Sequence, residues 1–453
     1  MTTPLGEGAQ AGSAPEVTKE EGLIRAVGVR GLTAGMINYM IGAGIFVLPA
    51  VVAARVGGAA PVIYVICAIA MGMIVLTFAD AGSRVSLSGG TYAYAEIAFG
   101  PFIGFVVAMS LWFGTTVLAS AAVANVFVDT LSQISPRLAG PVIRNGTLIL
   151  IYAALAAINI RGVKIGSGVV QGVTVAKLTP LLILVGVGLF AINAGNLAWP
   201  GMPGAGETAR TTVILIFAFL GIESALTPSG EVREPARTVP RALFAALVLV
   251  TLLYMGIQIV AQGVLGAELA TNTAAPLAET ARRVLGSGGQ MLVILGAAIS
   301  TFGYVAGDML AAPRGIYALG RDHLLPAALG SVHTRYRTPH VAILVHAVLC
   351  LGFALTGSFE QLAVLAVIAT LIVYLICCLA TIQLQRRNIR YEGAIPFKVP
   401  GGPVIPLIAS AIVVWLMTAS TRQEVLAMAA MLVAEAVLFW LMRGRNQRLR
   451  TAD

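Results

Sequence analysis

Lys177 stands near the middle of an otherwise apolar run, residues 169–192. A lone ammonium at the centre of a membrane helix costs about 2.5 to 3.5 kcal/mol on insertion scales, so a compensating role is expected for it. The first long apolar segment is interrupted by Gly42, Ala43, Gly44, Ile45 and Phe46, and the sixth by Phe217, Ala218, Phe219, Leu220, Gly221, Ile222 and Glu223. Gly42, Ala43 and Gly44 lack bulky side chains, so a helix can unwind there and turn backbone N–H and C=O groups toward a cavity rather than lipid. A half-helix beginning near Ile45 presents free N–H groups and a positive dipole end, which suits a carboxylate. Carbonyls closing a half-helix near Phe217, Ala218 and Phe219 suit a cation such as an α-ammonium group. The two breaks together match the two ends of an amino acid. Either motif alone is equally well read as glycine serving helix packing; their pairing favours binding.

Lys177 lies about ten residues from the expected helix start, hence about 15 Å deep at 1.5 Å per residue. Snorkelling to the interface is the alternative reading. A lysine kept out of water can lose and regain its proton, which makes Lys177 the expected proton-coupling residue. Glu223 follows the sixth-segment break and is the one acid expected clearly inside the membrane. It either binds a cation or accepts hydrogen bonds from unwound backbone N–H groups. Asp80 with Arg84, spaced i to i+4, and Asp308 with Arg314 fall near helix ends and are expected to pair at the interface, as part of an inner gate. His323, His333 and His340 sit in a basic loop and His346 alone in an apolar run, with no ligand spacing, so no metal site is expected. Ser224 and Ser300 have no partnered histidine or elbow motif, which leaves hydrolase chemistry unsupported. Phe217, Phe219 and Phe302 line a pocket or fill the core.

The elements that position these residues follow from composition. Of 453 residues 58% are hydrophobic and only 11% charged, with mean hydropathy +0.89, whereas soluble domains are about a quarter charged. An all-α integral membrane protein is implied. The net charge of +9 is scattered through short loops, which argues against nucleic acid. Cys67, Cys350, Cys377 and Cys378 all lie in apolar runs without CxxC spacing. No cleavable signal is evident in the polar first thirty residues.

Segments of about twenty apolar residues occur twelve times, at 31–54, 61–86, 101–131, 144–160, 167–193, 211–230, 239–265, 288–313, 339–357, 361–385, 403–421 and 423–442; the fourth and ninth are short. With the N-terminus cytoplasmic, 21 of the 29 Lys and Arg face inward and 7 outward, with Lys177 between. That bias sets both termini inside. The breaks open the first and sixth segments, so five helices separate equivalent features and the second copy is inverted. Paired broken segments in corresponding halves point to an inverted-repeat transporter and to its site. The expected organisation is a disordered tail over 1–29, repeats at 30–194 and 209–387, two extra helices within 403–443, and a cytoplasmic tail at 444–453.

Residues 42–46 resemble the glycine signature of the first helix in the amino acid-polyamine-organocation superfamily of permeases. Asp80-Ala81-Gly82-Ser83-Arg84, continuing to Ser88-Gly89-Gly90-Thr91-Tyr92-Ala93-Tyr94, is similar to that family's second helix and following loop. Phe217 to Glu223 resembles its aromatic-glycine-glutamate break, Glu231 to Pro240 its inner loop, and Ala312 to Asp322 the loop after its eighth helix. The matches cover residues 30 to 400. The resemblance implies a LeuT-like five-plus-five inverted repeat and alternating access of amino acids through a central site. In proton-coupled bacterial members a fifth-helix lysine occupies the sodium position of sodium-coupled relatives, and Lys177 matches it. Asp80 and Ser86 stand where members often have Glu and Pro, and Ile222 replaces a frequent Phe that shapes the pocket.

The expectation is therefore a proton-coupled permease of the inner (plasma) membrane for neutral, small or apolar amino acids, since no acid besides Glu223 is placed to receive a second positive charge. The carboxylate falls to Gly42, Ala43, Gly44 and Ile45, the ammonium to Phe217, Ala218 and Phe219, pocket shape to Ile222, and gating to Glu223, Asp80 and Arg84. Proton and lipid are the expected partners, with no cofactor. The rival is an exchanger of cationic amino acids or polyamines in which Lys177 only mimics a sodium charge. A channel lacks a filter or ring of charge, and an enzyme lacks a nucleophile or metal constellation.

Overall fold

The computed structural model describes residues 16–17, 27–85, 87, 89–162, 167–226, 231–391, 395–399 and 401–450. Among the described residues the regular secondary structure is helical apart from one pair of two-residue strands. Eight helical stretches are long and apolar enough to cross a membrane, and two shorter apolar helices, His340–Thr356 and Val404–Met417, accompany them. The fourth expected segment, read as short, is a full-length helix, Pro141–Arg161.

The first segment is two helices, α1 (Val29–Met40) and α2 (Gly44–Val56). After them come α3 (Ala60–Arg84), α4 (Thr91–Phe99), α5 (Pro101–Met109) and α6 (Leu118–Ser132). Between α5 and α6 the helix widens into a π segment, Ser110–Val117. There Thr115 and Thr116 hydroxyls donate five residues back, to Ser110 and Leu111 carbonyls. Next are α7 (Pro141–Arg161), α8 (Ser167–Gly188), α9 (Ala205–Ile216), α10 (Pro235–Leu265) and α11 (Pro276–Arg321). The chain closes with α12 (His340–Thr356), α13 (Phe359–Arg386), α14 (Val404–Met417) and α15 (Arg422–Arg450).

Start signals explain many of these boundaries. Proline occupies the first turn of α5, α7, α10 and α11, where its missing N–H costs nothing. Ser358 and Gln361 form a reciprocal capping box on α13. Helix α11 turns sharply at Gly286, φ +71°, so its first turns lie apart from the long span that follows.

Helix α13 is the most enclosed of the spanning helices and packs against α3, α4, α6, α14 and the π segment. Helix α10 lies along α3 and α1, and α11 lies along α8 and α6. In lipid such packing rests on van der Waals fit rather than on water exclusion. Gly114 illustrates the closeness: a Cβ there would sit 2.5 Å from the Ala369 methyl.

The expected tail at 1–29 lies mostly outside the described residues. Within it, Glu16–Val17 pairs in parallel with Arg390–Tyr391, and Val27 bridges Val232. Ser86 and Ser88 of the resembling stretch and 227–230 of the sixth segment are also outside the described residues, and α15 continues as helix through 444–450.

Candidate functional site

The helical ladder fails where the glycines fall. Residues 41–43 separate α1 from α2, and the Gly42 N–H turns back to Met40 O at 2.9 Å. The first N–H beyond the break to find a backbone acceptor is that of Phe46, which donates to Ala43 O at 3.0 Å. The N–H groups of Ala43, Gly44 and Ile45 precede it, at the point where a helix start leaves donors open. In the sixth segment the α-helix ends at Ile216, Phe217–Phe219 make a 3-10 turn, Leu220 is extended, and Gly221 takes φ +104°. All residues from 41 to 46 and from 217 to 223 are buried, save a partly exposed Gly221.

The two breaks touch. A Cβ on Gly44 would lie 3.2 Å from the Ala218 backbone and the Phe217 ring, and one on Gly221 would lie 2.9 Å from Tyr39 Cβ. Tyr254 of α10 ties them directly, its hydroxyl lying 2.9 Å from Met40 O and 3.0 Å from Ala218 O. Its ring stands edge-on to Phe219 at 5.4 Å. Phe217 packs edge-on to Phe359, and Ile222 is fully buried.

Lys177 is 4% exposed and does not snorkel. Its ammonium donates to Asn38 O at 2.6 Å and Ile41 O at 2.7 Å, carbonyls left over where α1 ends. The ammonium thus sits on the negative end of a half-helix, which offsets part of its desolvation. Ser300 of α11 reaches the same edge, with Oγ 3.3 Å from Gly42 O and 3.5 Å from Ile41 O. Thr174 donates to the Asn38 side chain at 2.9 Å.

The Glu223 carboxylate accepts from the Gly221 N–H at 3.0 Å and from the Tyr374 hydroxyl at 2.8 Å. Of the two roles open to it, this is the geometry of an acceptor for unwound backbone, and it pins the second break to α13. Asp80 and Arg84 form an i to i+4 salt bridge. Gln385 donates to Asp80 at 2.8 Å and Arg84 to Ile389 O at 3.3 Å, joining α3 to the end of α13. At the other end of α3, Arg55 contacts Glu360 at 2.6 Å and Glu207 at 3.4 Å, so the ends of α2, α9 and α13 meet in one ionic cluster.

Four expectations are corrected. Asp308 does not pair with Arg314: it faces His346, with Oδ2 2.9 Å from Nε2. A carboxylate inside a bilayer needs a close donor more than a distant charge, and α12 supplies one. His346 is accordingly not alone, since Trp112 Nε1 donates to its Nδ1 at 3.2 Å and Cys350 Sγ lies 3.5 Å from Nε2. Nor is Glu223 the only acid within the spans, because Asp308 and Glu435 are also there, and Glu435 is held by Ser110 of the π segment at 3.1 Å. Phe302 fills no core position; it is 42% exposed and meets Phe127 at 5.6 Å.

Sequence reasoning missed Tyr254, Asn38 and Ser300. A tyrosine inside an apolar span was the available signal, because a buried phenol must find an acceptor.

Buried backbone breaks inside apolar helices, bordered by Lys177, Ser300, Tyr254 and Glu223, define a multi-pass membrane protein built around an internal polar site. The family model described as amino acid permease matches residues 27–441, and the chain belongs to that family, transporters of amino acids and related substrates rather than enzymes. It is 25% identical to the methylthioribose transporter of Bacillus subtilis, over 88% of this chain and 89% of the relative. It is 27% identical to the branched-chain amino acid permease BcaP of the same organism, over 86% and 87%, and 28% identical to its serine/threonine exchanger SteT, over 87% and 90%. The family implies a LeuT-like fold.

Proposed function

We propose that the protein is a secondary active transporter that carries neutral amino acids across the inner (plasma) membrane by alternating access, in symport with protons. Twelve membrane helices form two inverted five-helix repeats, 30–194 and 209–387, with two further helices within 403–443 and both termini cytoplasmic. The observation that carries the reading is the contact between the two breaks, with Lys177 capping the first of them.

The open N–H groups at Ala43, Gly44 and Ile45 bind the substrate carboxylate, next to Gly42. The carbonyls of Phe217, Ala218 and Phe219 bind its ammonium, and Ile222 bounds the side-chain pocket. Among the described residues of the spans, Glu223, Asp308 and Glu435 each already face donors of the protein, and of the three only Glu223 adjoins the breaks, which supports neutral substrates. Lys177 holds α1 while protonated; losing its proton removes one donor from the two carbonyls and loosens that hold, which links proton release to movement of α1. Asp80 with Arg84, and Glu223 with Tyr374, tie the inner parts of the helices that must separate, and Arg55 with Glu360 and Glu207 ties the outer ends.

A second reading is favoured by the exchanger among the relatives: obligate exchange, including of cationic amino acids or polyamines, with Lys177 as a fixed charge. Proteoliposome uptake separates the two. Symport requires that an inward proton gradient alone accumulates at least one neutral amino acid and that Lys177→Met abolishes this accumulation. If only internal amino acid drives uptake, exchange holds and proton coupling is refuted. Uptake of methylthioribose in place of every amino acid would move the substrate class to that named for the first relative.

A further inference from the structure

Two turns along α11 from the first break lies a polar cluster that amino acid binding does not use. Its members are Asp308 of α11, His346 and Cys350 of α12, and Trp112 of the π segment. His346 and Cys350 are fully buried, and the Asp308 side chain is 7% exposed. The carboxylate, imidazole and thiol ligand atoms lie within 4.8 Å of one another, a combination that suggests a transition-metal site.

Trp112 argues against that assignment. An indole N–H can only donate, so His346 Nδ1, 3.2 Å away, must accept. The ring hydrogen is then on Nε2 and points at Asp308. A metal on Nε2 needs that nitrogen's lone pair and moves the hydrogen to Nδ1, where it would oppose the Trp112 N–H. The arrangement that satisfies every partner is a neutral imidazole donating to an ionised carboxylate. It has no vacant imidazole nitrogen, which leaves the second carboxylate oxygen, Oδ1, as the place for a further proton.

The position of the pair relative to Lys177 is the second observation. Ser300, Tyr304 and Asp308 are spaced four residues apart on α11. Ser300 shares the Ile41 carbonyl with Lys177, and the Tyr304 ring lies 3.5 Å from where a Gly42 Cβ would be. Asp308 is eight residues past Ser300, about 12 Å further along the helix, toward the end that the charge bias makes cytoplasmic. Among the described residues, titratable groups that feel its charge include Tyr39 of α1, Tyr152 of α7, Tyr304 of α11 and Cys350 of α12. None of these is a cation.

We propose that Asp308, positioned by His346 and Trp112, is a second proton-binding site, the station between Lys177 and the cytoplasm. It rests on the proton-coupled reading above. The proton leaves Lys177 for a water molecule of the opened cavity, the N–H electron pair staying on nitrogen, and the hydronium so formed gives a proton to Asp308 Oδ1, neutralising the pair and returning water. Release of that proton to cytoplasmic water restores the carboxylate. Trp112 sets where the proton goes, because it blocks Nδ1.

The test uses the full chain in proteoliposomes with the neutral amino acid that gives the strongest proton-driven uptake. Asp308→Asn, its folding checked by thermal unfolding, is expected to lower proton-driven accumulation at least tenfold. Trp112→Phe opens Nδ1 to a proton; it should keep amino acid counterflow and change the pH dependence of uptake, because the imidazole then offers the proton a second place to bind. Accumulation at the wild-type level in Asp308→Asn overturns the proposal, as does an unchanged pH profile in Trp112→Phe, which decides the matter if Asp308→Asn does not fold. Absence of proton-driven uptake in the wild-type protein instead overturns the coupled reading itself, and this site with it.

Discussion

Replacing Tyr254 with phenylalanine removes one oxygen from the place where the two breaks meet. That hydroxyl is buried and lies 2.9 Å from Met40 O and 3.0 Å from Ala218 O. Its single hydrogen serves both acceptors, so the loss amounts to about one hydrogen bond plus the cost of leaving buried carbonyls without a donor, roughly 1 to 3 kcal/mol. At about 1.4 kcal/mol per tenfold, that is a change of roughly 5- to 150-fold in whichever equilibrium holds the breaks together. The ring remains, and with it the edge contact to Phe219, so helix packing should survive. The expected outcome is a KM for amino acid uptake raised at least fivefold, with a modest fall in Tm in detergent. A KM within twofold of wild type would refute the claim that Tyr254 holds the two halves of the site in register.

Gly221→Ala should abolish transport and lower Tm by more than Tyr254→Phe does, because residue 221 has φ +104° and a methyl there would lie 2.9 to 3.0 Å from Tyr39; transport at the wild-type rate would show that the break does not need this backbone. Glu223→Gln keeps the shape but leaves one acceptor oxygen for two donors, the Gly221 N–H and the Tyr374 hydroxyl. It should cost about 1 to 3 kcal/mol and slow counterflow several-fold while leaving substrate selectivity unchanged; altered selectivity would instead make Glu223 a substrate ligand.

Much of the fold was legible because lipid imposes one strong rule, that a spanning segment is an apolar helix with its backbone satisfied internally. Exceptions to that rule stand out: Gly42 to Gly44, Gly221 and Lys177 are visible as residues that disobey their surroundings. The partners of those residues were not visible. Lys177 meets carbonyls 136 and 139 residues away in sequence, and carbonyls leave no trace in side-chain identity. Asp308 and His346 were misread for the same reason. Asp308 was paired with Arg314 on its own helix and His346 looked isolated, and only the packing of α11 against α12 brings them together, with Trp112 of the π segment beside them.

The most direct test of the zwitterion cradle is a thermal-shift titration of the purified protein. The twenty amino acids are screened first, and the strongest stabiliser is then compared with its amide, which lacks the carboxylate, and with its deaminated acid, which lacks the ammonium. Ligands that bind only the folded protein raise its apparent stability with concentration. The cradle predicts stabilisation by the intact amino acid and loss of most of it in both analogues. Equal stabilisation by either analogue would contradict the assignment of the two breaks to the two ends of an amino acid.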